Sequence, residues 1–211
     1  MGYLMQTLKE GKFILLIILI CFTTTLSAQD NFNLELNISS SKNGSGDLSG
    51  FHFNANFVKS LKNNFCYVIS IGGSTHQRKN ELFFTINGRE NDGSILYVTS
   101  GFQVGFGMDY KFINFEKHKF GIRIIPFGRY QSTSLPDVVT TLFPIITELT
   151  FPVIYFEQTS PSQTLAVGLD TSFIYNIKLY KSFSLNLLGN FQFDTNGDTI
   201  RGLGLGVVKS F

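Results

Sequence analysis

Leu96-Tyr-Val-Thr-Ser-Gly-Phe-Gln-Val-Gly-Phe-Gly-Met-Asp-Tyr-Lys-Phe112 is the stretch whose reading decides the fold. Its even positions are apolar with the one exception of Ser100, from Leu96 through Phe102, Val104, Phe106 and Met108 to Phe112. Its odd positions, among them Thr99, Gly101, Gln103, Gly105, Gly107, Asp109 and Lys111, are mostly small or polar. A period of two means one strand with two unlike faces. Soluble strands average about five or six residues, and this one is far longer. It suits a tilted membrane-crossing strand, which needs about 9–11 residues to traverse hydrocarbon and can project beyond it.

The same alternation recurs on both sides. Upstream lie Phe32 to Ile38, Phe51 to Phe57 and Phe65 to Ile71; downstream lie Phe120 to Tyr130, Leu165 to Ile177, Phe183 to Phe193 and Leu203 to Phe211. Eight strands leave seven connections. Three are short (59–64, 113–119 and 178–182) and alternate with four others, two of them very long. Short turns at one end and longer loops at the other are the membrane-barrel pattern. Residues 41–47 read as a turn, and Gly72-Gly73 as the end of the third strand before a polar stretch to Glu81. Leu82–Asn87 and Ser94–Thr99 are expected to pair as a hairpin around Gly88–Gly93. Residues 135–162 carry Pro136, Pro144, Pro152 and Pro161, which deny them a central ladder position. They are too apolar for a solvated loop, so they are expected to fold over the barrel mouth or enter the headgroup region. The expected fold is all-β: an eight-stranded antiparallel up-and-down transmembrane β-barrel preceded by a cleavable signal peptide.

The amino terminus supplies that signal. Lys9 and Lys12 precede an apolar run from Phe13 to Phe22, followed by Thr23-Thr-Thr-Leu-Ser-Ala28. Charged, apolar and small-residue zones in that order mark a secretory leader, placing cleavage after Ala28 and the barrel in residues 29–211. The apolar core is too short for a spanning anchor by the ~20-residue rule, and Ile20 before Cys21 is not the small residue that lipoprotein processing needs. Removal of Cys21 leaves Cys66 as a lone thiol, expected to pack as a small apolar side chain. Charged residues are 15% of the chain, against about 25% in ordinary soluble domains, and aromatics also 15%, with 23 Phe and no Trp. A net charge of +2 without basic runs excludes nucleic acid as the partner.

Alternation alone leaves open which face points inward. A soluble lipocalin-type barrel would cover its outside with charge, and the small face here is Gly, Ser, Asn and Thr. That face suits the narrow interior of an eight-stranded barrel; the greasy face then meets lipid, and closure satisfies the backbone there. Aromatic residues (Phe65, Tyr67, Tyr110, Phe112, Phe120 and Tyr175 among them) gather near the short-turn ends, as an interfacial girdle would. Lysines crowd the same end, including Lys59, Lys111, Lys119, Lys178 and Lys209. They read either as snorkelling to lipid phosphates or as ordinary solvated turns.

The leader, the eight strands and the ending Leu205-Gly-Val-Val-Lys-Ser-Phe211 resemble small outer-membrane β-barrel proteins of the OmpA/OmpX type, in the Phe- and Gly-rich style of the Bacteroidota outer membrane protein beta-barrel families. Such families end in an insertion strand with a glycine, alternating apolar residues and a final aromatic. Gly206, Val207 and Phe211 fit that pattern, whereas Lys209 stands where it has an apolar residue. The resemblance implies a monomer in the outer membrane of a Gram-negative bacterium, embedded in its lipids, placed there by the barrel assembly machinery, and using no cofactor.

Glu35, His52, Gln103, Asp109, Arg123, Arg129 and Asp170 all fall on the inward face. Counted from the turns, Glu35 lies level with Arg123, and Arg129 with Asp170, so salt-bridged tiers are expected to plug the lumen, because buried charges must pair. A proton or ion pathway is the competing reading of these residues. A lipid-modifying enzyme needs a serine, a base and an orienting carboxylate in reach. His52 has Ser49 nearby in sequence, His76 falls in a polar outer stretch and His118 in a short turn, so all three read as satisfied polar residues. Gly202-Leu-Gly-Leu-Gly206 superficially suggests a phosphate loop, but no helix follows. Arg78, Lys79, Arg89 and Arg201 are assigned to outer loops, where they suit lipid phosphates or a partner. The function expected is non-enzymatic, exerted through extracellular loops in envelope integrity, adhesion or partner binding; a narrow passive pore for small solutes and, behind it, a lipid-modifying barrel enzyme are the alternatives.

Overall fold

The computed structural model describes residues 32–44, 48–61, 64–134, 137–157 and 163–211. The expected leader, residues 62–63 of the 59–64 connection, Pro136 and Pro161 lie outside them. In chain order the elements are β1 (Phe32–Asn43), β2 (Leu48–Ser60), β3 (Phe65–Asn80), β4 (Phe83–Ile86), β5 (Arg89–Asp92), β6 (Ile95–Asn114), β7 (His118–Thr133), β8 (Val138–Leu142), α1 (Pro144–Thr147), β9 (Val153–Glu157), β10 (Gln163–Tyr180), β11 (Phe183–Asp194) and β12 (Thr199–Ser210).

Eight of these strands close into a barrel in the order β1-β12-β11-β10-β7-β6-β3-β2. Every adjacent pair is antiparallel, and β1 closes on β12, with Asn37 opposite Gly206. This is the eight-stranded transmembrane up-and-down barrel. The faces divide as the alternation dictates. Phe102 and Phe106 are 54% and 63% exposed, while Gln103 and Asp109 between and beside them are buried. The outside is a belt of Leu, Ile, Val and Phe, including Leu36, Phe53, Ile71, Phe173, Leu205 and Val207. Water would make that surface an aggregation site, and hydrocarbon is its matching solvent.

Small inner-face residues let the strands close. A Cβ added at Gly107 would fall on the Ile124 carbonyl oxygen and lie 2.7 Å from Ile125 Cα. Pro126, without an N–H, faces outward on β7, and the β6–β7 ladder skips between Gly105–Phe127 and Met108–Ile124. Bulges follow at the short-turn end, at Lys111/Ile113 and Lys178/Tyr180. Rings cluster at that end: Phe65 lies 4.7 Å from Tyr110 and Phe112 lies 4.9 Å from Phe120. Lys209 sits 4.4 Å over the Phe183 ring. Lys111 and Lys119 depart from either expectation, since they line the inner mouth of the lumen rather than the lipid side. Cys66 is a free, buried thiol clustered with Val58, Val68 and Ile125.

Strand ends differ most from the sequence reading. The first strand does not turn at Ser41; it runs to Asn43, with Ser39, Ser41 and Asn43 buried inside. The third does not stop at Gly72-Gly73 but continues to Asn80, which carries His76 into the lumen. Polar residues end a strand only where both faces need apolar neighbours, and a polar lumen removes that need. The hairpin expected from Leu82–Asn87 and Ser94–Thr99 pairs instead as β4 with β5. Asn87 and Gly88 both have positive φ (50° and 75°), the geometry a two-residue turn of this hand requires. Ile95 onward belongs to the barrel, opposite Asn80. Lys79 reaches Asp92 at 3.1 Å; hydrogen bonds from Ser94, then Lys79, hold the Asp92 carboxyl down at about 2. Residues 137–157, expected to be irregular, form the hairpin β8–β9 with α1 at its tip. Its prolines respect the ladder: Pro144 starts α1 and Pro152 precedes β9.

The barrel is taller on one side. β3, β6, β7 and β10 run 16, 20, 16 and 18 residues, while β1, β2, β11 and β12 run 12 or 13. The two extra hairpins continue from the tall strands.

Candidate functional site

The inner faces of β1, β6 and β7 place Glu35, Asp109 and Arg123 at one level near the short-turn end. Arg123 donates from Nη1 to Glu35 Oε2 at 2.7 Å and from Nη2 to Glu35 Oε1 at 3.1 Å. The same Nη2 donates to Asp109 Oδ2 at 3.0 Å. Asn56 adds a 3.4 Å contact from Nδ2 to Glu35 Oε2. All three ionised side chains are almost wholly withdrawn from solvent. A two-pronged guanidinium clamp is the geometry that offsets such desolvation best.

Asparagines fill the next level. Asn37 and Asn56 both donate from Nδ2 to Asn54 Oδ1, at 2.8 and 2.9 Å. Above them sits a second cationic centre. Arg129 donates to Gln103 Oε1 from Nε (3.2 Å) and Nη2 (2.9 Å), to Asp194 Oδ2 from Nη1 (2.9 Å), and to Gln192 Oε1. Gln192 Nε2 in turn donates to Asp170 Oδ2 at 2.6 Å, and Ser172 Oγ to Asp170 Oδ1 at 2.7 Å. His52 Nε2 lies 3.3 Å from the amide nitrogens of both Gln103 and Gln192. The seven inner residues singled out in the sequence are therefore all buried in the lumen. They form two tiers, one correction being needed: Arg129 makes its ion pair with Asp194 at 2.9 Å, and its hydrogen-bond link to Asp170 runs through Gln192.

Asp194 escaped the sequence reading because it opens an Asn-Gly turn. The available signal was its parity, since Asn190, Gln192 and Asp194 share one face of β11. His76 likewise appeared to be a loop residue, and the structure sets its Nε2 2.8 Å from Ser41 Oγ. That is a serine–histidine contact, but Ser41 and His76 are 3% and 1% exposed and no substrate carbonyl can reach the hydroxyl. His52 and Ser49, neighbours in sequence, lie on opposite faces of β2. His118 stays at the short-turn end, its Nδ1 2.9 Å from Tyr175 Oη. Among the four cations assigned to loops, Arg78 and Lys79 lie on β3, Arg201 lies on β12, and Arg89 is in the β4–β5 hairpin.

Small cavities lie beside these side chains. A cavity of about 50 Å³ touches Glu35 and Asp109, and another of about 10 Å³ touches Arg123 and Asp170. A water needs ~10–15 Å³ by this measure, so these hold a few waters on either side of a fixed guanidinium. Such side chains cross-link the inner faces of the barrel strands.

No family model and no curated protein matches the sequence. Among solved structures, the chain is similar to Neisserial surface protein A (TM-score 0.56, 11% identity, 85% of this chain and 97% of that one). It is also similar to the N-terminal β-barrel domain of OprF from Pseudomonas aeruginosa (TM-score 0.50, 10% identity, 87% and 98%). At these identities the likeness establishes the fold.

Proposed function

We propose that the chain is a non-enzymatic integral protein of a Gram-negative outer membrane, delivered behind a leader cleaved after Ala28, and that it works as a surface adhesin through its outer hairpins. The observation that carries this reading is the β8–β9 tip. Ile145 is 96% exposed, Ile146 67% and Phe143 56%, in and beside α1 at the tip of a two-stranded sheet that is not part of the barrel ladder. Apolar side chains this exposed, in the longest connection on the long-loop side of the barrel, suit contact with something outside the cell. The plugged lumen supports the same reading, because it leaves the loops, not a channel, to act.

The test is partition of intact cells expressing the protein into hexadecane. Wild-type cells partition several-fold more than cells carrying Phe143→Ser, Ile145→Ser and Ile146→Ser together, at equal surface abundance and with equal heat-modifiable migration of the barrel. Equal partition of the two strains would remove the adhesive role. In planar bilayers the pure protein shows no ion-conducting steps; steady steps at neutral pH would favour the pore instead.

A further inference from the structure

We propose that the short-turn mouth of the lumen binds hydrogen phosphate, free or as a soluble phosphomonoester, and selects it over fully ionised oxyanions through Asp109. The site is a cavity of about 50 Å³ shared by β1, β6, β7, β10, β11 and β12. Lys111, Lys119, Ser184 and Ser210 are half-buried at its rim, and Asp109 and Asn186 are buried at its floor. At ~10–15 Å³ per water-sized centre it takes about four oxygens, the number a phosphate carries.

A donor at the floor lacks an acceptor. Asn176 Nδ2 donates to Asn186 Oδ1 at 2.8 Å, which turns the Asn186 amide nitrogen the other way. Asn186 is 0% exposed, and that nitrogen has no hydrogen-bond partner among the described residues. A donor buried in this state costs free energy unless a water or an ion receives its hydrogen bond.

Charge favours the ion. Three cations, Arg123, Lys111 and Lys119, accompany two carboxylates, Glu35 and Asp109, at this end of the lumen. Both carboxylates are held by Arg123, and among the described residues neither lysine ammonium forms an ion pair. The field of Lys111 reaches Glu35, so Lys119 is the cation left over. Lys119 also feels the charges of Lys111 and Lys178, a positive field that draws an anion in. Lys111 and Lys119 face the lumen, away from the lipid headgroups, so the anion arrives along the barrel axis from water.

Asp109 supplies the selectivity. Its Oδ2 accepts from Arg123 at 3.0 Å, while its Oδ1 is buried without a partner among the described residues. An ionised carboxylate only accepts. A phosphate that still holds a proton offers its P–OH to Oδ1. Its other oxygens accept from Lys111, Lys119 and Asn186 Nδ2, the lysine bonds being charge-assisted. Sulfate has no proton near neutral pH and sets a bare oxygen against the carboxylate, which repels it.

The inference goes beyond adhesion and does not depend on it. Its test is equilibrium dialysis of the full mature protein, in uncharged detergent micelles, against radiolabelled inorganic phosphate at neutral pH and constant ionic strength. Wild type binds phosphate, and sulfate competes at least about tenfold less effectively than unlabelled phosphate. Lys111→Gln with Lys119→Gln weakens binding at least about tenfold. Lys117→Gln with Lys181→Gln removes the same charge from exposed positions outside the cavity lining and leaves binding unchanged. Dioleoyl phosphatidate doped into the micelles does not displace the bound phosphate. Each variant is required to keep heat-modifiable migration. Absence of binding by wild type, equal competition by sulfate, unchanged affinity in the Lys111/Lys119 variant, equal loss in the Lys117/Lys181 variant, or displacement by phosphatidate overturns the proposal.

Discussion

Arg123→Met destabilises the barrel by about 3–5 kcal/mol, because it strands two carboxylates in a lumen closed to bulk water. Glu35 loses a two-pronged clamp at 2.7 and 3.1 Å, and Asp109 loses its 3.0 Å partner. Methionine fills much of the space, so the loss is electrostatic rather than a cavity. The companion variant separates the two causes. Adding Glu35→Gln and Asp109→Asn to Arg123→Met removes the stranded charges and recovers most of the loss, since a buried ion cluster as a whole adds little net stability. Urea titration in detergent, read by heat-modifiable migration, measures both. A triple variant no more stable than the single one would show that the cluster acts through shape alone.

Gly107→Val prevents closure or costs upwards of about 3 kcal/mol, at the severe end of overpacking. The added atoms collide with backbone of β7, at the Ile124 carbonyl and Ile125 Cα, which no rotamer change relieves. Gly128→Val is the matched control. Gly128 faces outward with nothing within 4 Å of an added Cβ, so the same substitution leaves stability within about 0.5 kcal/mol. Folding yield into detergent micelles and the urea midpoint check the pair. Equal behaviour of the two variants would mean that inner-face crowding does not govern closure.

The barrel was legible from Leu96–Phe112 because alternation survives any register, and the seven inner residues followed from parity alone. What remained hidden has physical causes. Ser41–Asn43 and Thr75–Asn80 looked like turn and loop because polarity is read as solvation, whereas Ser41 and His76 are solvated by the protein itself. Parity places a residue on a face but cannot rank partners at one depth, so Asp170 was taken for the ion partner that Asp194 is. The Asn87-Gly88 turn was masked by the neighbouring polar run, although its dipeptide is a strong local hairpin signal. Arg201 illustrates the opposite error: a cation on the lipid face looks like a loop residue until the strand is known to continue past it.

Hydrocarbon as the solvent of the outer face is the claim on which the rest depends, and spin labels test it most directly. In a Cys66→Ala background, Phe106→Cys and Phe173→Cys are labelled and the protein is reconstituted into bilayers. Collision with dissolved oxygen exceeding collision with a water-soluble nickel chelate at both sites is the result this structure requires. Labels reached more readily by the nickel chelate than by oxygen would place water against Phe106 and contradict it.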